Sequence, residues 1–254
     1  MARLTLRLSL ILAALLAGTV SAQAQAQVRY DDSEGEWRFA RLVYKAASNF
    51  GGRRGGRSSF STDYPEAETH LRHGLDRLTR IQTGEPVLIE LDDDDIMNHP
   101  WLYAVEVGRW YLDDRDAALV REYLLRGGFL LVDDFWGSQQ WQIFEESMRR
   151  VFPDRPIIEI DDADPLMTLI YDLDKSIQIP GNNYFSSGVT WQQDGRIPYW
   201  RGIYDDDNRL MVAINFNMDL GDAWEHADDP YYPEAFTGLA YRFAVNYVIY
   251  SMTH

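Results

Sequence analysis

The run Arg126-Gly127-Gly128-Phe129-Leu130-Leu131-Val132-Asp133-Asp134-Phe135-Trp136-Gly137-Ser138 decides the fold. A helix ends at its glycine pair, since Gly127 takes a positive φ without strain at the position after a helix. Phe129–Val132 then reads as a short, fully apolar strand that stops on two aspartates. A Trp-Gly-Ser turn follows, with Ser138 placed to cap a helix running to Val151. Open α/β sheets bind ligands where strands reach their carboxyl edge, and this chain puts carboxylates there.

The same alternation extends in both directions. Upstream, Trp37–Lys45, Val87–Leu91 and Trp101–Val107 read as strands. Asp63 can cap a helix with Pro65 in its first turn, whose Ala67, Leu71, Leu75 and Leu78 form one apolar stripe. Asp113 or Asp114 caps a second helix that ends at Arg126. Downstream, Pro156–Ile160 is a fifth strand, and residues 164–198 form a long irregular connection. Tyr199–Tyr204 and Leu210–Phe216 form a hairpin turned by Asp205–Asn208. A helix from about Glu234 to Met252 is apolar on more than one side and is expected to be buried. Strands alternating with helices predict a three-layer α/β/α sandwich around a mostly parallel sheet.

The N-terminus has another character. Arg3 and Arg7 precede an apolar run from Leu8 to Ala17 and a Val20-Ser21-Ala22 cleavage pattern. That is the grammar of an export signal, and the run is too short for a stable span. The expected organisation is a signal peptide over residues 1–22, a flexible leader over 23–35, and one domain over 36–254. Cleavage after Ala24 or Ala26 would also serve. The expected destination is the periplasm or the cell exterior, with no membrane span left after cleavage. The chain has no cysteine, which excludes disulfides, thiol nucleophiles and cysteine-ligated metals. Its formal charge of -16 argues against nucleic-acid and anionic-membrane partners. A neutral small molecule, a glycan, a cation or an envelope protein remains. A hydrophobic share of 46% with 13% aromatic residues argues for a packed core despite that charge.

Several segments together resemble the bacterial family called domain of unknown function 4159. They are Phe39–Tyr44 (Phe-Ala-Arg-Leu-Val-Tyr), Ser61–Pro65 (Ser-Thr-Asp-Tyr-Pro), Gly127–Asp134, Asn217–Trp224 (Asn-Met-Asp-Leu-Gly-Asp-Ala-Trp) and Asn246–Tyr250. The resemblance spans roughly residues 36 to 252. It implies the class I glutamine-amidotransferase-like, flavodoxin-like superfold and carries no reaction with it. Active amidotransferases lead from the Gly-Gly strand into a Gly-x-Cys-x-Gly elbow. Here Asp133-Asp134-Phe135-Trp136-Gly137 stands instead, so thiol chemistry is excluded.

Several acidic groups are expected at one edge of a parallel sheet: Asp92–Asp95, Asp133-Asp134, Asp161-Asp162, and Asp219 with Asp222. Crowded carboxylates are relieved by a cation, an arginine or a proton. Asp133, Asp134, Asp219 and Asp222 are therefore candidate ligands for a divalent cation, although no calcium-loop spacing is present. The same aspartates also suit helix capping: Asp133 to the amides opening the next helix, Asp134 as its cap. Trp136 offers an apolar or sugar-stacking face. Asn217–His226 adds Trp224 and His226 to the two carboxylates. The superfold's functional histidine falls near this point, but His226 lies outside the matching motif. Asn49–Ser59, with Arg53 and Arg54, reads as a cationic, glycine-rich loop able to close over the site or to remain surface. Asp63 and Tyr64 complete the ligand-binding candidates. His70 and His73 are expected on a solvated helix face. Two functions are consistent with these residues: a non-catalytic domain binding a ligand or partner, or a carboxylate- or metal-dependent hydrolase of a glycan or envelope substrate.

Overall fold

The computed structural model describes residues 35–47 and 59–254. The expected signal peptide and the Arg53-Arg54 loop lie outside them. Seven strands form one sheet: β1 Ala40–Val43, β2 Val87–Glu90, β3 Trp101–Val105, β4 Phe129–Phe135, β5 Ile158–Glu159, β6 Tyr199–Tyr204 and β7 Leu210–Phe216. Their order is β2-β1-β3-β4-β7-β6-β5. The pairings from β2 across to β7 are all parallel, and β6 is antiparallel to both neighbours. The short fifth strand thus joins the far edge, beyond the hairpin.

Among the described residues six α-helices accompany the sheet: α1 Glu66–Leu78, α2 Asp114–Leu125, α3 Gly137–Val151, α4 Asn183–Ser187, α5 Leu220–Glu225 and α6 Glu234–Thr253. Side chains of successive strand residues face opposite sides, which sorts the core into two halves. Leu71 and Leu75 of α1 and Leu239, Phe243 and Tyr247 of α6 cover the face presented by Phe129 and Leu131. Val120 and Leu124 of α2 and Phe144 and Met148 of α3 cover Leu130, Val132, Val212 and Ile214 on the other. Burying each such side chain stabilises the fold by about 1.5–3 kcal/mol. The result is an α/β/α architecture with an apolar central strand, as parallel sheets covered on both faces require.

Local details explain the ends. Asp113 caps α2 by accepting the Asp116 amide at 2.9 Å, and Gly127 follows that helix at φ 108°. Arg209, beside the hairpin turn, donates to Leu124 O at 2.7 Å and Gly128 O at 3.0 Å. It thereby supplies positive charge to the helix's free carbonyls. Ser138 does not cap α3. The Ser138 amide donates to Asp194 at 2.9 Å, and the Gly137 amide to Asn217 at 2.8 Å. Strand β4 runs on through both aspartates to Phe135, with a register break against β7 between Val132 and Phe135. Asp134 sits in that bulge at φ 50°. The extra residue returns Phe135 to the face of Leu130 and Val132, because a bulge re-aims the side chains beyond it.

Candidate functional site

Four left-handed residues, three acids and one asparagine, lie beyond or within the parallel strands. Asp63 (φ 62°) lies between β1 and α1, and Glu106 (φ 52°) follows β3. Asp134 sits in the β4 bulge, and Asn217 (φ 62°) opens the turn after β7. Positive φ is uncommon outside glycine and is tolerated best by Asp and Asn. A cluster of such residues at one strand edge is where functional sites are found. The β1/β3 boundary is also where the strand order reverses, the usual ligand crevice of an open α/β sheet.

The turn after β7 organises the carboxylates. Helix α5 begins there, and its first amides end on aspartates. Leu220 N and Gly221 N donate to Asp133 Oδ2 at 2.7 and 3.0 Å, joined by the Tyr103 hydroxyl at 3.1 Å. Asp222 N donates to Asp219 Oδ1 at 2.7 Å. Asp222 Oδ2 accepts the Asn182 amide from the irregular connection. Asp133 and Asp219 thus cap α5, whereas the capping grammar of the sequence places Asp133 and Asp134 at the helix directly after them. Asp134 Oδ1 instead accepts the Trp136 indole N–H at 2.7 Å.

Three of the buried carboxylates converge. One oxygen each from Asp63, Asp219 and Asp222 lies within 4.8 Å of the other two, and all three residues are buried. Asp63 Oδ2 and Asp222 Oδ1 have no hydrogen-bond partner. Asp63 does not cap α1: its backbone carbonyl receives the Ala67 amide at 2.9 Å, and its side chain turns to the cluster. Two glycines wall the space. A Cβ on Gly221 would stand 2.4 Å from Asp63 Oδ2, and one on Gly181 would stand 2.8 Å from Asp219 Oδ2 and 3.0 Å from Asp222 Oδ2. Half-buried Glu225 and His226 border the cluster, the His226 Nε2 lying 3.9 Å from Asp222 Oδ1 and 3.7 Å from Glu225 Oε2.

Among the described residues the site holds more acid than its neighbours neutralise. Burial raises Asp63, Asp134 and Asp219 well above the usual carboxylate range. Mutual repulsion adds to it: Asp222 and Asp134 act on Asp63, Glu106 and Asp222 on Asp134, and Asp134 and Asp222 on Asp219. Burial also pushes Asp133 up to about 7, against the amides of Gly221 and Leu220 and the Tyr103 hydroxyl. Glu106 and Glu225 are raised by burial as well. The nearby arginines offset part of this charge, Arg109 acting on Glu106 and Arg41 on Asp63. Arg109 pairs with Glu106 at 2.7 Å. Arg41, fully buried, pairs with Glu68 and donates to Phe60 O at 3.1 Å and Thr62 O at 2.7 Å. It therefore braces the loop that carries Asp63.

Other expected contributors lie apart. Asp92–Asp95 are exposed beyond the outermost strand β2, where Asp92 pairs with Arg115 at 2.9 Å and Asp95 with His99 at 3.1 Å. Asp161 and Asp162 are exposed beyond β5, Asp162 pairing with Lys175 at 2.6 Å. Trp136 and Trp224 are buried, 2% and 0% exposed, so neither indole offers a stacking face. Half-buried Tyr64 lies with its ring centre 5.9 Å from the Arg41 guanidinium carbon. His70 is half-buried, with its Nδ1 meeting the carbonyls of Trp224 and Glu225 at 2.9 and 3.0 Å and so holding α5 against α1, while His73 is exposed as expected. A groove of about 890 Å³ lined by Trp141, Met148, Phe152 and Arg201 is elsewhere and contains none of the clustered acids.

Sequence reading missed Glu106, Glu225, Tyr103 and the Arg41–Glu68 pair. One signal was available for the pair. Arg41 interrupts the apolar run Phe39–Val43, and Glu68 falls on the stripe of Leu71 and Leu75.

The chain belongs to the family described as domain of unknown function DUF4159, which it matches over residues 38–252. No curated protein matches it.

Proposed function

We propose that this chain is an exported binding domain whose acidic pocket receives a positively charged group. What supports the reading is one observation: Asp63, Asp219 and Asp222 are buried with one oxygen of each converging, and Asp63 Oδ2 and Asp222 Oδ1 have no hydrogen-bond donor. A buried carboxylate without a counter-charge takes up a proton or recruits a cation. The Arg3-Arg7 leader with its apolar run supports export to the periplasm. The absence of cysteine excludes thiol catalysis on this scaffold.

The alternative is a carboxylate- or metal-dependent hydrolase of a glycan or envelope substrate. It draws on Asp133, which burial pushes up to about 7, the range in which a general acid or base is effective. Against it, Asp133 is fully buried and fastened by three donors.

The test is thermal unfolding of the full chain with metal ions, alkylamines, amino sugars and basic peptides in turn. A ligand that binds the folded state raises the midpoint by mass action. The expected result is a rise with at least one cationic ligand that Asp219→Asn removes. A rise confined to anionic or neutral ligands, or one that survives Asp219→Asn, overturns the proposal. Turnover of a glycan that Asp133→Asn abolishes transfers the case to the hydrolase.

A further inference from the structure

We infer that Asp63, Asp219 and Asp222 form the binding site for one hard divalent cation of the calcium kind. The inference rests on the reading of the pocket as a receptor for positive charge and names its occupant. It replaces a wider ligand set that the sequence suggested, since Asp133 and Asp134 are not among the converging oxygens.

Three features point to the ion. The donor set is all carboxylate, the chemistry of hard cations. Asp63 and Asp222 are 5% and 4% exposed, and each has a buried carboxylate oxygen that no donor reaches. Gly181 and Gly221 keep open the space that a Cβ at either position would fill.

The donor set selects the class of cation. Magnesium keeps several of its waters and is usually held by one or two carboxylates, whereas three protein carboxylates converging on one point suit the larger, more flexible shell of calcium. The groups already in place define which oxygens are free. Asp219 Oδ1 holds the Asp222 amide and Asp222 Oδ2 the Asn182 amide, leaving Asp219 Oδ2, Asp222 Oδ1 and the Asp63 carboxylate. Asp222 is shared with a second candidate group, Asp222, Glu225 and His226, in which the His226 Nε2 lies 3.9 Å from Asp222 Oδ1.

Calorimetric titration of the full chain with calcium chloride at neutral pH tests the inference. The expected result is one equivalent bound, with a dissociation constant on the order of 10⁻⁴–10⁻³ M, as in extracellular calcium modules. Magnesium binds more weakly. Asp63→Asn and Asp219→Asn each weaken calcium at least tenfold, and Asp94→Asn, in the exposed run beyond β2, leaves it unchanged. Asp63→Asn is the decisive variant, because its side chain holds no helix amide and asparagine suits its positive φ. Calcium binding that survives Asp63→Asn, or no binding at all, overturns the inference. An alkylamine that binds through Asp219 while calcium does not overturns the calcium assignment and leaves the cationic pocket standing. If neither binds, both fall.

Discussion

Replacing Arg41 by methionine tests how the site is held. Arg41 and Glu68 are fully buried, and the guanidinium also donates to the carbonyls of Phe60 and Thr62, in the segment that leads into Asp63. Methionine fills a comparable volume but leaves Glu68 as a buried acid without its cation. Breaking one half of such a pair costs about 3–5 kcal/mol. For a domain of this size each kcal/mol moves the unfolding midpoint by about 2–4 °C, so Arg41→Met lowers it by roughly 6–20 °C. The double variant Arg41→Met, Glu68→Leu removes both charges and recovers most of the loss, because paired buried ions replaced by apolar groups are often neutral in stability. The loss also has a definite sign with pH. Burial already raises Glu68, and without Arg41 the acid is raised further. The deficit is therefore largest at neutral pH and shrinks as pH falls toward about 4, where the unfolded chain is protonated too. Thermal unfolding by circular dichroism across pH measures all three terms. A loss below about 1 kcal/mol, or additive losses in the double variant, refutes the reasoning.

Two other predictions concern the cluster and its neighbour Asp133. Gly221→Ala places a methyl group 2.4 Å from the Asp63 Oδ2 position; overpacking of this kind costs about 1–3 kcal/mol, and the midpoint falls together with any ligand-induced rise. Asp133 carries a raised folded value of about 7, so its contribution to stability is complete below an unfolded value of about 4 and is lost as pH rises through about 7. Comparing midpoints against pH for the ligand-free wild type and Asp133→Asn isolates it: the wild type declines more steeply between pH 4 and 7, and parallel curves would exclude the effect.

The strand and helix order was legible because its signals are local. The apolar run Phe129–Val132, the Asp113 cap and the wide apolar face of the last helix each lie within one element. The carboxylates after β4 and β7 were legible too, since strand ends in an open α/β sheet point to the site. Choosing among the acidic runs was not. Asp92–Asp95 also follow a parallel strand, but β2 is outermost, a fact of topology that no local pattern carries. Asp63 read as a helix cap because Asp-Tyr-Pro before a helix is capping grammar. Its left-handed backbone turns the side chain to the cluster instead. The bulge at Asp134 arises from the pairing of β4 with β7, which a single strand does not encode. Trp136 and Trp224 read as open to a ligand because aromatic residues beside acids suit sugar recognition. Both are consumed by packing, Trp224 lying 5.8 Å from Tyr103 ring to ring.

The central claim is that the pocket carries uncompensated buried negative charge kept for a ligand. It is tested most directly by the unfolding midpoint of Asp63→Asn against wild type at neutral pH in chelator-treated buffer. Asparagine keeps the shape and the positive φ and removes the charge. The account predicts a midpoint higher by about 1–8 °C, from a stabilisation of about 0.5–2 kcal/mol of the kind seen when functional strain is relieved. The gain disappears as pH falls to about 4 and below, where Asp63 is protonated in both the folded and the unfolded chain. A midpoint that falls at neutral pH would mean that the Asp63 charge is already balanced within the protein, and would contradict the account.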